Sequence, residues 1–201
     1  MDQKIGILGG SFNPIHFGHI QLAIEMLEKH RLDRILFCPA AESPFKANST
    51  ELVASDHRLA MVKLAIADIP QFAVIENELR RPTPSYTIDT IEELQVECPG
   101  AQFFLIIGDD AATSFHRWYR AHEIVSHVQL LVGARQGQLV NVDPKIAEAL
   151  KKGMTETKIF EVSSTEIRER LKERKYCGHL VPSKVLDYIY QNGLYYNNLS
   201  C

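Results

Sequence analysis

One run near the start of the chain constrains the fold more than any other: Gly9-Gly10-Ser11-Phe12-Asn13-Pro14-Ile15-His16-Phe17-Gly18-His19. The apolar run Ile5 to Leu8 precedes it and the amphipathic run Ile20 to Leu27 follows. That order predicts a strand, a tight loop and a helix. Gly9 and Gly10 admit unusual backbone angles and close approach by a ligand, and Asn13-Pro14 signals a turn. The unpaired amides and the dipole at the start of the helix favour an anion. His16 and His19, three residues apart, can both face the mouth of that helix, and Gly18 removes a side chain that would crowd a ligand. The physical reading is a phosphate cradle made of backbone N–H groups and two imidazole donors. The bland alternative is a turn with two surface histidines. The run is not the dinucleotide fingerprint, which needs G-x-G-x-x-G, nor a P-loop, which needs Gly-Lys-Ser/Thr. Half of a metal site is a further alternative, but no Cys or carboxylate nearby completes a ligand set.

The rest of the chain alternates in the same way. Lys4 to Leu8 is the first strand, Phe17 to His30 a helix with Ile20, Ala23, Ile24 and Leu27 at helical spacing, and Arg34 to Pro39 a second buried strand. Two strands joined by a helix make a right-handed βαβ unit, whose ligands gather at the carboxyl ends of the strands. Polar Ala40 to Thr50 reads as a loop at that edge, with Lys46 as its only cation: a phosphate contact or a solvated lysine. Ser55 to Asp68 reads as a helix capped by Ser55, with His57 and Arg58 simply exposed. Phe72 to Ile75 is a third strand. Ser85 or Thr87 would cap a helix over Ile88 to Val96, whose free N-terminus could take a small carboxylate. Gln102 to Ile107 is a strongly apolar strand closed by Gly108-Asp109-Asp110, where one acid could accept from a ribose hydroxyl and the other cap the next helix. Trp118, the chain's only Trp, is flanked by Arg117, Tyr119 and Arg120, which favours a stacking role at a site over a core role. Val128 to Val132 is a further strand, with Arg135 just past it. Pro144 to Lys151 reads as a helix and Gly153 as a turn. Ile159 to Val162 reads as the last strand, and Ser163 with Glu166 fits a capping box that starts another helix. A final helix over Pro182 to Asn192 ends at Gly193. The expectation is one α/β domain over residues 1–201, with a mostly parallel, Rossmann-like sheet, helices on both faces and a C-terminal helical extension.

Gly-Ser-Phe-Asn-Pro-Ile-His-Phe-Gly-His resembles the signature of the H-x-G-H nucleotidylyltransferases, which move AMP or CMP from a nucleoside triphosphate to a phosphate-bearing acceptor. Ser163-Ser164-Thr165-Glu166-Ile167-Arg168 resembles the second signature of that family, and the two lie in order about 150 residues apart. Pro84-Ser85-Tyr86-Thr87, Trp118-Tyr119 and the tail from Val181-Pro182 to Asn192-Gly193-Leu194-Tyr195 resemble segments of the bacterial nicotinate-nucleotide adenylyltransferases. The resemblance implies adenylyl transfer from ATP to nicotinate mononucleotide, giving deamido-NAD and pyrophosphate. It implies His16 and His19 as catalytic donors to the phosphates. Gly9, Gly10, Ser11, Phe12, Lys46, Gly108, Asp110, Arg135, Ser163, Ser164 and Arg168 would hold ATP, with Asp110 on the ribose. Ser85, Tyr86, Thr87, Trp118 and Tyr119 would read the pyridine ring and its carboxylate. Mg²⁺ would arrive with ATP, held by phosphate oxygens and water.

Composition enters only as a limit. The 201 residues suffice for a sizeable core. A formal charge of −3 without a basic stripe argues against a nucleic-acid binder. No apolar stretch is long enough to span a membrane, and the N-terminus shows no run resembling a signal peptide. Cys38, Cys98, Cys177 and Cys201 are scattered without C-x-x-C, so neither a zinc site nor a disulfide framework is indicated. A cytoplasmic protein is the expectation, with monomer and homodimer equally open.

Overall fold

The structure is a computed structural model and describes residues 3–41, 52–134, 143–158 and 160–196. Lys46 and Arg135 therefore lie outside the described residues. In chain order the elements are β1 (Lys4–Gly10), α1 (Phe17–Lys29), β2 (Arg34–Pro39), α2 (Ser55–Ile66), β3 (Phe72–Val74), α3 (Asn77–Arg80) and α4 (Thr87–Glu97). There follow β4 (Gln102–Gly108), α5 (Asp109–Ser114), a 3₁₀ turn at Phe115–Arg117, α6 (Ala121–His127), β5 (Gln129–Ala134) and α7 (Pro144–Gly153). The last elements are β6 (Met154–Glu156), α8 (Ser164–Lys172) and α9 (Ser183–Gln191).

The strands form one parallel sheet in the order β3-β2-β1-β4-β5-β6. Period-two alternation sends side chains to two cores. Leu8, Phe37, Phe104, Ile106 and Leu131 face α1, α2, α8 and α9. Ile5, Ile7, Leu36, Phe103, Leu105, Ile107, Leu130 and Val132 face α4, α5, α6 and α7. Because both faces are covered, β1, β2, β4 and β5 carry continuous apolar runs, as a parallel sheet requires. The strand order reverses between β1 and β4, so a crevice opens beyond the carboxyl ends of those two strands.

Local expectations differ at four places. The last strand is Met154–Glu156; of the expected strand Ile159 to Val162, residues 160–162 form none and Ile159 lies outside the described residues. Gly153 decides this: a Cβ there would lie 2.3 Å from the Leu130 carbonyl oxygen, so only glycine lets α7 turn straight into an edge strand beside β5. Ala54, Tyr86 and Gly108 occupy the N-cap positions of α2, α4 and α5, so Ser55, Ser85, Thr87, Asp109 and Asp110 do not cap. Neither Gly9 nor Gly10 has a positive φ; that conformation falls on Phe12 (φ 46). Arg58 is not exposed but buried.

Candidate active site

The loop after β1 crosses the mouth of the crevice. Ser11 follows the strand directly, and the Phe12 ring turns down into the core, 1 % exposed, with its edge against His19 (centroids 5.1 Å apart). Phe12 thus offers a ligand only its backbone. A Cβ on Gly9 would have its nearest neighbour, the Cys38 carbonyl oxygen, at 4.0 Å, so the backbone there is open to approach. His16 is the N-cap of α1 and is buried; His19, in the first turn, is half-buried. Their rings lie 3.7 Å apart at 31°. The His16 amide donates to Nδ1 of His19 (3.3 Å), which leaves Nε2 as the donor of a neutral His19 ring. Nδ1 of His16 is buried with no hydrogen-bond partner among the described residues. Burial pushes the His16 ring down to about 4, so it is uncharged near neutral pH. A Cβ at Gly18 would meet Val162 Cγ1 at 2.9 Å and His16 Nδ1 at 3.1 Å, so that glycine makes room for the protein itself, not for a ligand.

The two distant signatures touch. The Ser164 hydroxyl donates to the Pro14 carbonyl (2.9 Å), and Arg168 Nη1 donates to the Asn13 carbonyl (3.0 Å). Ser163 caps α8, its Oγ accepting from the Glu166 amide at 3.1 Å. The amides of Ser164 and Thr165 open that nine-residue helix, at its positive end. The N-termini of α1 and α8 therefore converge on one rim. At the end of β4, Gly108 leads into Asp109 and Asp110, and the Asp110 carboxylate folds back so that a Cβ on Gly108 would sit 3.0 Å from its Oδ1.

The segment before α4 meets the Trp118 turn on the other side of the crevice. Tyr86 and Tyr119 have ring centroids 4.4 Å apart, and Tyr119 is 54 % exposed. Trp118 is half-buried, tilted against Phe115 at 5.2 Å. Arg120 holds the two segments together through Glu92 of α4 (2.8 Å) and Glu123. Ser85 is buried and its Oγ accepts from the Ala41 amide (3.2 Å), which ties this segment to the end of β2. Beneath it lies Glu78, 5 % exposed, accepting from the Thr90 hydroxyl; burial pushes its carboxyl up, and Arg81 with hydrogen bonds from Ser85 and Thr90 pulls it back.

A cytidylyltransferase-like family model matches residues 7–170. The nicotinate-nucleotide adenylyltransferase of Bacillus subtilis is 40 % identical over 193 residues, covering 96 % of this chain and 98 % of that one. The chain belongs to the nicotinate-nucleotide adenylyltransferase family. A sequence from Carboxydothermus hydrogenoformans, described as a probable member, is 36 % identical over 198 residues and covers 96 % of this chain and 98 % of its own. The nicotinic acid mononucleotide adenylyltransferase of Plasmodium falciparum, solved with NaAD, shares the fold with TM-score 0.75 at 19 % identity, covering 96 % and 97 %.

Three residues of this candidate site are not obvious from sequence. Asn13 is buried, and its Oδ1 accepts from the Val53 amide (3.3 Å) and the Tyr195 hydroxyl (2.8 Å). Burial pushes the Tyr195 phenol well up, so it stays a donor. Arg58 is the third. Its signal was its spacing: Arg58, Met61, Val62 and Ile66 stand at i, i+3, i+4 and i+8, the core stripe of α2.

The buried His16 makes stability depend on pH. Unfolded, the ring takes up a proton near 6.5; folded, it resists to about 4. The unfolded state binds more protons between those values, so the contribution is complete above 6.5 and lost as pH falls through 4, about 3 kcal/mol in all. Urea unfolding of wild type and His16→Gln should show that difference opening across this window. A constant difference would mean that the folded ring protonates normally.

Proposed function

We propose that this chain transfers the adenylyl group of ATP to nicotinate mononucleotide, releasing pyrophosphate and forming deamido-NAD. One observation carries the reading: the two signatures, distant in sequence, are hydrogen-bonded to each other at the rim where the His16 and His19 rings meet. The acceptor phosphate is already an anion and attacks the α-phosphorus of ATP in line, so no general base is needed. No covalent intermediate is called for either. The nearby Cys38 thiol is buried and pushed far up, which makes it inert as a nucleophile. Catalysis is then positioning and charge stabilisation.

His19, through Nε2, donates to the transferring phosphoryl group, and His16 donates beside it. The open backbone at Gly9, Gly10, Ser11 and Phe12 lies along the nucleotide. Ser163, Ser164 and the first amides of α8 take the leaving pyrophosphate, with Arg168 holding the loop and adding its charge; Lys46 joins them. Gly108 and Asp110 face the ribose; Arg135, outside the described residues, is assigned to the adenosine. Thr87, at the N-terminus of α4, and the Tyr119 amide take the pyridine carboxylate. Trp118 stacks on the ring, and Ser85 and Tyr86 shape the wall. The divalent cation enters as part of the substrate, Mg·ATP; among the described residues no three His, Cys, Asp or Glu side chains converge to hold one. The whole chain acts as one catalytic domain in the cytoplasm, where ATP is drawn.

The test is pyrophosphate release from Mg·ATP with nicotinate mononucleotide, its amide or phosphopantetheine as separate acceptors. Fast release with the nicotinate acceptor alone is the expected result. Equal rates with the amide would keep the transferase and refute the carboxylate site. ATP binding without release from any acceptor would make the chain a nucleotide sensor.

A further inference from the structure

Arg58 has no part in the reaction as described so far, yet it is among the largest fully buried side chains of the described residues. The residue is 1 % exposed, and its hydrogen-bond partners are all backbone carbonyls. Nε donates to Val53 (2.9 Å), Nη1 to Ser11 (2.8 Å) and to Ala40 (2.6 Å), and Nη2 to Ala41 (2.9 Å). Three chain segments that are separate in sequence thus meet on one planar fork. They are the loop after β1, the end of β2 and the approach to α2.

Two features argue that this is more than a core contact. The first is where the fork points. The Ala40 amide donates to the Gly10 carbonyl (3.0 Å) and the Ala41 amide to Ser85 Oγ (3.2 Å). With Arg58 on both carbonyls, every backbone polar group of Ala40-Ala41 is engaged, and the dipeptide becomes a junction between the phosphate rim and the pyridine segment. The second is charge. A buried cation without a carboxylate partner is costly unless something anionic offsets it. Among the described residues no carboxylate reaches the guanidinium; four carbonyl dipoles solvate it and leave its unit charge beneath the loop assigned to the triphosphate. A hydrophobic residue would fill the space without either property.

We propose that Arg58 is a positioning residue for the transfer, setting the loop after β1 in register with the pyridine segment through Ala40-Ala41. The inference rests on the adenylyl-transfer reading above. It differs from a purely structural role in what it does to the kinetics. A residue that only holds the fold together lowers the fraction of active enzyme, and so lowers kcat with KM unchanged. A residue that sets the geometry of the bound state raises KM. Lysine at this position keeps a charge but cannot span four carbonyls on one plane.

The experiment measures kcat and KM for Mg·ATP and for nicotinate mononucleotide in wild type, Arg58→Lys and Arg58→Ala. Circular dichroism and thermal unfolding accompany it. In folded Arg58→Lys the KM for Mg·ATP should rise at least tenfold, with a smaller rise for nicotinate mononucleotide and less change in kcat. In Arg58→Ala, guanidinium ion at non-denaturing millimolar concentration should restore part of the lost affinity. Wild-type constants in either variant would overturn the proposal. So would a fall in kcat alone, or an Arg58→Ala chain whose ATP affinity merely follows its refolding by guanidinium. An inactive wild-type enzyme would instead count against the adenylyl-transfer reading, whatever the variants did.

Discussion

His19→Ala is expected to lower turnover by about tenfold or more while leaving the chain folded. The ring is half-buried and packs edge-on against Phe12 and at a tilt against His16. Losing these should cost on the order of 1 kcal/mol of stability. The chemistry loses more. The His16 amide occupies Nδ1, so a neutral ring carries its proton on Nε2, the atom assigned to an oxygen that gains charge in the transition state. A donor fixed in this way needs no reorganisation during the reaction, and removing one such donor typically costs a hundredfold or more. Steady-state rates set beside a melting curve separate the two effects. A fully active His19→Ala enzyme would sink the role assigned to the ring.

Gly18→Ala should do similar damage by a different route. Inside a helix, replacing Gly with Ala ordinarily stabilises by about 1 kcal/mol. Here the added methyl would sit 2.9 Å from Val162 Cγ1 and 3.1 Å from His16 Nδ1. Val162 is short and β-branched and directly precedes Ser163, and the His16 ring is buried, so neither neighbour can simply swing away. The strain is relieved by pushing the start of α8 off the loop or by rotating His16, and either change spoils the phosphate rim. Displacements of about 1 Å from catalytic geometry can cost a hundredfold. We expect turnover to fall at least tenfold with a melting temperature near that of wild type. An enzyme with wild-type rates would show that α8 can shift without consequence.

Most of the scaffold was legible because its signals are local. A parallel sheet covered on both faces demands short apolar runs, and Ile35-Leu36-Phe37 or Phe103 to Ile107 can hardly be anything else. The joined signatures were legible as motifs. What escaped depends on contacts far apart in sequence. The run Ile159 to Val162 looks a better strand than Met154–Glu156, but Gly153 admits the Leu130 backbone at a distance no other residue allows. Phe160 stays 36 % exposed, against the edge of Phe17. Arg58 escaped because a lone arginine on a helix normally belongs in water. Its helical spacing from Met61 and Val62 placed it inward, but the four carbonyls that make burial tolerable come from segments no periodicity connects. The expected cap at Ser85 failed for a related reason. Ser85 is engaged by Ala41 across the crevice, not by its own helix.

The bond between Tyr195 and Asn13 joins residues 182 positions apart. During synthesis the phosphate loop and its two histidines precede Tyr195 by most of a domain, and α9, which packs on α2, also follows them. The site therefore draws on segments far apart along the polypeptide, and a growing chain carries both histidines and Ser163, Ser164 and Arg168 before it carries the hydroxyl that orients Asn13.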